Sequence, residues 1–218
     1  MKIYEGKVAV VTGAGGTLCS AIAVDLAKKG AKVVLIGRTR EKLEKVAADI
    51  SGCGICRIEP GDVTDEKVMQ EINTLGTVIP SRIFGMQMAK AGGGSVINFA
   101  SMNTYCPLTR VAPYAMSKAA IANWTMFFAQ YMAPANIRVN AIAPGFMVNE
   151  RSRGYLMTPD GGLSARGEQV MHHTPMGKFG EASDLLGCVD WLLDDAKSGF
   201  VTGITVPVDG GFLASAGV

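Results

Sequence analysis

Short apolar runs alternating with helical segments constrain this chain more than any other feature. "KVAVVTG" at 7–13 is a β-branched run ending in glycine, and "LCSAIAVDLAKKG" at 18–30 has helical periodicity closed by two lysines and Gly30. "KVVLIG" at 32–37 reads as a second strand, and "REKLEKVAADI" after it as a charged amphipathic helix. Further strands are expected in "CRIEPGDV" (56–63), "GSVINFAS" (94–101), "IRVNAIAPG" (137–145) and "ITVPVDGG" (204–211). Apolar strands separated by helices need crossover connections, so the expected fold class is α/β with a doubly wound parallel sheet covered on both faces.

The 218 residues are 48% apolar and show no break in composition, which predicts a single domain over 1–218. A formal net charge of +2, with Lys and Arg scattered among Asp and Glu, gives no electrostatic support to a nucleic-acid or membrane-surface role. The N-terminus enters a strand without a charged-then-apolar leader, and no apolar run approaches the ~18 residues of a membrane span. A soluble cytoplasmic protein is therefore expected. Five cysteines are an odd number and read as reduced thiols; "CGIC" at 53–56 lacks the second pair a zinc site needs and reads as a loop.

Two places carry chemistry. "VTGAGGTLC" sets Gly13, Gly15 and Gly16 between the first strand and its helix, where backbone amides and the positive helix end can approach a pyrophosphate. Further on, Ser101 closes the "VINFAS" strand, and Tyr114 follows thirteen residues later with Lys118 at i+4. On a helix that spacing puts phenol and ammonium on one face, and the cation lowers the tyrosine pKa toward the range useful for proton transfer.

In combination these features resemble the short-chain dehydrogenase/reductase family along almost the whole chain: the TG turn, Asp62-Val63, Ser101, Tyr114-x-x-x-Lys118 and Pro144-Gly145 occur in the family's order. The resemblance implies a nicotinamide-dependent oxidoreductase on a Rossmann sheet. Tyr114 would be its general acid/base, Ser101 would hydrogen-bond the reacting oxygen, and Lys118 would hold the nicotinamide ribose. Asn73 would order a water in the proton relay. Asp62 and Val63 would lie at the adenine. Gly13, Gly15, Gly16, Thr17 and Leu18 would meet the phosphates, and Pro144 and Gly145 would also touch cofactor. The family turn reads TGxxxGxG, whereas Thr17 and Cys19 stand here at its second and third glycine positions, so altered loop geometry is expected. "GAGGTLC", "IAPGFMVNERSR" and "HTPMGKFGE…PVDGGF" look most like the mannonate oxidoreductase, or fructuronate reductase, branch.

Cofactor choice is read at the end of the second strand, where Gly37-Arg38 replaces an acidic residue; Arg38 suits a 2′-phosphate, which favours NADP over NAD. The segment after Gly145, about 146–180, is expected to close over substrate, with Arg151 and Arg153 suited to a carboxylate and Asn149 to hydroxyls. A sugar acid such as fructuronate or mannonate is the expected substrate. Another polyol, gluconate or ketone, and a nonenzymatic dinucleotide sensor, are the alternatives. His172 and His173 read as loop or helix-end residues with no metal triad. The apolar helices "TVIPSRIFGMQMAK" and "AAIANWTMFFAQYMA" predict a homotetramer or homodimer.

One stretch does not fit. Between Asp62 and Asn73 the family carries a helix, a central strand and a loop, and this chain has ten residues. A βαβ unit takes roughly 30 residues, so on the order of 40 are expected to be absent. The break would fall between about 64 and 73, with "VTDEKVMQE" and "INTLGTV" belonging to different helices.

Overall fold

The computed structural model describes residues 2–60, 69–109 and 111–215, without the side chains of 69–73 and 151. The chain divides into two compact units, Met1–Asp65 and Glu66–Val218. Asp62, Val63 and the 64–68 part of the expected break lie outside the described residues.

The first unit runs β1 (Val8–Thr12), α1 (Thr17–Lys28), β2 (Lys32–Gly37), α2 (Arg40–Ser51) and β3 (Ile55–Pro60). Its strands form a parallel sheet in the order β1-β2-β3, with Val10 opposite Val34 and Val34 opposite Arg57. Val33 and Leu35 of the middle strand are buried, and so are Ile22, Ala23, Leu26 and Ala27 of α1 and Leu43, Val46 and Ile50 of α2. The buried positions of each helix recur at three- and four-residue spacing, which gives one apolar stripe to set against the sheet. α1 ends where the periodicity predicts: Lys29 donates to Asp25 at 2.6 Å, and Gly30 takes φ +99°, a left-handed conformation that favours glycine.

The second unit contains α3 (Met69–Lys90), β4 (Gly94–Phe99), α4 (Ala112–Met132), β5 (Ile137–Pro144), α5 (Glu150–Leu156), α6 (Ala165–His172), α7 (Leu186–Leu193), α8 (Asp195–Ser198) and β6 (Thr205–Val208). Its sheet is again parallel, ordered β4-β5-β6. All eight residues of β5 are buried, as expected of a strand paired on both sides and covered on both faces. Phe128, Ala129 and Met132 of α4 pack with Ile137 and Val139, and Trp124 stacks on Phe128 at 5.0 Å. A second cluster of Ala100, Ile121, Ala141 and Ala143 uses small side chains, which allow a close approach of α4 to the strands. Asn98 of β4 donates to Thr125 of α4 at 3.0 Å, a buried polar tie between strand and helix.

The described strands thus make two three-stranded sheets, with β1 at an edge of one and β4 at an edge of the other. One expectation is corrected. α3 is continuous from Met69, so "MQE" and "INTLGTV" belong to the same helix, and the expected break cannot fall within 69–73. Backbone hydrogen bonding, which sequence periodicity samples poorly over four residues, decides this.

Outer faces of α3 and α4 remain apolar: Ile83 and Met86 of α3 and Met116, Phe127 and Tyr131 of α4 are exposed, Tyr131 by 70%. Among the described residues no helix is long and apolar enough to cross a membrane.

Arg138, nine-tenths buried in β5, ties the last helices to the sheet. Its Nη1 donates to Leu192 O at 2.8 Å and Ser198 Oγ at 3.1 Å, and Nη2 donates to Asp195 at 2.7 Å. Asp195 is 79% exposed, so solvent screens that pair and the buried acceptors carry the stabilisation. Arg138→Ala is expected to cost about 3 kcal/mol in urea unfolding, and Asp195→Asn under about 1 kcal/mol.

Candidate active site

In the first unit the turn between β1 and α1 is built by its glycines. Gly13 adopts φ +64°, and Gly16 N donates to Gly13 O at 2.9 Å. Gly16 is the N-cap residue of α1, and no side chain caps that helix. The positive end of the α1 dipole is therefore left uncovered by protein side chains, which suits an anion. The shifted glycines have separate reasons. A Cβ on Gly16 would lie 3.2 Å from Gly13 O, and one on Gly15 would lie 2.9 Å from Lys42 Cβ of α2. Thr17 and Leu18 form the first helical turn beside them, and Cys19 is half-buried at the family's third glycine position. At the end of β2, a Cβ on Gly37 would lie 3.1 Å from Leu43 Cδ2, and Arg38 beyond it is exposed.

In the second unit Ser101 follows β4 in extended conformation (φ −163°, ψ 160°) and caps a 3₁₀ turn, Met102–Thr104. Its Oγ accepts from Asn103 N at 3.2 Å, which leaves the hydroxyl proton available to donate elsewhere. Thr104 Oγ1 donates to Lys118 O at 3.1 Å, so the turn carrying Ser101 is tied to α4 at the level of the lysine. Pro113 stands in the first turn of α4, where its missing N–H costs nothing, and Tyr114 follows, 39% exposed. Lys118 Nζ lies 5.6 Å from the Tyr114 ring centroid and donates to Phe99 O at 2.7 Å. The expected pairing of phenol and ammonium is present, and the ammonium is anchored to the end of β4.

Pro144 closes β5, and Gly145 N donates to Val208 O at 2.9 Å. A Cβ on Gly145 would sit 2.6 Å from Asp209 Cα, so the turn after β6 permits only glycine there. The segment beyond joins back through the Met147–Gly180 bridge. Phe146, Met147, Thr174, Lys178 and Asp209 line a cavity of about 220 Å³ beneath it. A hydrogen bond from Glu181 N holds the nearby Asp184 carboxyl below its ordinary range, and Lys178 adds to the effect.

The substrate residues expected in this segment fare unequally. Asn149 is the N-cap of α5: its Oδ1 accepts from Ser152 N at 3.0 Å and Ser152 Oγ accepts from Asn149 N at 2.8 Å. Its carbonyl thus serves the helix end, which the N-x-x-S pattern could have signalled. Arg153 is exposed and donates to Met157 sulfur at 3.6 Å, while the side chain of Arg151 lies outside the described residues. Asn73 falls in α3, its side chain likewise outside them. His172 and His173 are at the C-terminal end of α6 as expected, His173 edge-on to Phe212. Among the described residues no three His, Cys, Asp or Glu side chains are grouped to hold a metal. Asn103 and Thr104 were missed; their signal was only that two short polar side chains follow Ser101 closely.

Comparison with known proteins places the chain among oxidoreductases. Residues 7–72 match the family model described as short chain dehydrogenase, and 67–213 match the one described as enoyl-(acyl carrier protein) reductase. The oxidoreductase UxuB of Bacillus subtilis strain 168, itself uncharacterised, is 36% identical, with 98% of this chain and 97% of the relative covered. That alignment has 269 positions against 218 residues here, so at least 51 positions of the relative have no counterpart in this chain. The shortfall is of the size expected for an absent strand and helix. A crystal structure from Haemophilus influenza, provisionally assigned as a D-mannonate oxidoreductase and holding NAD, is 30% identical with a TM-score of 0.90, covering 98% of this chain and 97% of that one. Another from Beutenbergia cavernae, provisionally assigned as an NAD(P)-dependent gluconate 5-dehydrogenase and holding NADP, is 29% identical with a TM-score of 0.88, covering 97% and 98%. The chain belongs to the short-chain dehydrogenase/reductase family of oxidoreductases.

Proposed function

We propose that this chain interconverts a secondary alcohol and a ketone on a sugar acid of the fructuronate/mannonate type, with Tyr114 as general acid/base. The observation that carries the reading is the joining of three groups in the second unit. Ser101 has a hydroxyl proton left to donate, Lys118 is anchored on Phe99 O, and Tyr114 stands one helical turn from Lys118. In the reducing direction Tyr114 gives its proton to the carbonyl oxygen while Ser101 donates a hydrogen bond to the same oxygen, so negative charge never builds up unsupported. Lys118 stabilises the phenolate that results and is assigned to the ribose hydroxyls of the cofactor. Asn73 orders the water through which the proton is replaced.

A bound nicotinamide dinucleotide supplies the hydride acceptor or donor. Gly13, Gly15, Gly16, Thr17 and Leu18 fit its pyrophosphate, because the helix end they form has no side-chain cap. Asp62 and Val63 are assigned to its adenine, and Pro144 and Gly145 to the nicotinamide side. Arg38 favours NADP, and the relatives described above hold both NAD and NADP. Sugar-acid specificity rests on the mannonate and gluconate assignments of those relatives, with Arg151 and Arg153 as carboxylate partners. Asn149 is the weaker candidate for substrate hydroxyls, since its carbonyl is committed to α5. The same reading makes 1–218 one catalytic domain with a substrate segment at about 146–180. It also makes the protein a cytoplasmic homotetramer or homodimer joined through the exposed apolar faces of α3 and α4.

Tyr114→Phe should lower turnover by about 10²- to 10⁴-fold while NAD(P)H binding, followed by cofactor fluorescence, stays nearly unchanged; wild-type turnover in this variant would overturn the mechanism. Arg38→Ala should weaken NADPH about tenfold more than NADH in the same titration, and equal effects would remove Arg38 from cofactor choice. Reduction of fructuronate by the wild-type protein, measured as NAD(P)H oxidation, tests the substrate class and distinguishes an enzyme from a dinucleotide sensor. Light scattering should report two or four copies, and a monomer would overturn the assembly.

A further inference from the structure

We infer that Asn103 is a specificity-determining residue whose side-chain amide donates to a hydroxyl on the substrate carbon next to the reacting carbonyl. The inference rests on the ketone-reducing activity proposed above and adds a contact to it.

Asn103 is 7% exposed and sits in the 3₁₀ turn capped by Ser101, with its backbone N–H held on Ser101 Oγ. Its side chain is oriented by a second bond: Leu108 N donates to Asn103 Oδ1 at 3.3 Å. An N–H can only donate, so this bond settles which end of the amide is oxygen and which is nitrogen. The Nδ2 group then has two protons and no hydrogen-bond partner among the described residues. It is not sealed in the interior either. Trp124 Nε1 is the one described buried side-chain nitrogen or oxygen that lacks both a partner and solvent contact.

A nine-tenths buried amide normally has its donors satisfied, because an unmade hydrogen bond at such a site is costly. Here one end is fixed by the loop and the other keeps solvent access in the same tight turn as the Ser101 hydroxyl. Thr104, the next residue, ties that turn to Lys118 O, so the turn's position relative to α4 is set before any substrate arrives. A rigid donor beside the serine that meets the carbonyl oxygen has the placement to reach the neighbouring carbon. Sugar acids and α-hydroxyketones carry a hydroxyl there, and simple ketones do not.

The test compares substrates that differ by that hydroxyl. Fructuronate is set against its analogue deoxygenated next to the carbonyl, and acetoin against 2-butanone, in the wild type, Asn103→Asp and Asn103→Ala. Asp retains the oxygen that accepts from Leu108 N and removes the amide donor, so it preserves the loop; Ala removes both. The wild type should favour the hydroxylated member of each pair in kcat/KM by about 10- to 100-fold, and both variants should bring that ratio close to one. A change in charge or in folded fraction affects both members of a pair and leaves the ratio alone. An unchanged ratio in Asn103→Asp overturns the inference. A wild type active on acetoin but not on fructuronate overturns the sugar-acid reading while the acetoin pair still decides Asn103. A wild type inactive on all four overturns the activity and this role with it.

Discussion

The bond from Lys118 Nζ to Phe99 O, 2.7 Å long, organises the second unit's chemistry. It is a charge-assisted hydrogen bond between the last residue of β4, two positions before Ser101, and the face of α4, which bears Tyr114. β4 is held by its pairing with β5, and α4 by apolar packing of Ile121, Phe128 and Met132. The ammonium pins the end of one to a defined turn of the other. Apolar contacts alone would resist sliding poorly, since they are non-directional, whereas a bond to a single carbonyl has one geometry.

Around that anchor, backbone and side-chain groups divide the work. Backbone N–H groups set the acceptor side of Ser101 and of Asn103, leaving a hydroxyl proton and an amide donor with no protein partner among the described residues. Gly145 shows the same economy: glycine is required because another stretch of backbone passes within van der Waals reach. In the first unit the glycines at 15 and 16 answer to α2 and to the turn itself, which explains why the departure from the family's spacing still leaves a bare helix end.

The described strands form two separate three-stranded parallel sheets, and the alignment with the Bacillus relative has at least 51 positions with no counterpart in this chain. The exposed apolar faces of α3 and α4 are likewise more than the second unit's core consumes.

Sequence alone determined the class of fold, four of the six described strands to within about two residues, and the pairing of Tyr114 with Lys118, because each depends on local periodicity: two residues for a pleat, 3.6 for a helix. It also carried the order of motifs that identifies the family. β3 and β6 were each read three residues too long at the end. Tertiary structure decided what each polar side chain faces. Only the folded chain shows Arg138 reaching across to Leu192 and Ser198, and Asn103 with its Oδ1 committed to Leu108 N. A side chain's partner is chosen by residues 5 to 60 positions away, and no short-range pattern encodes which of its atoms will be satisfied.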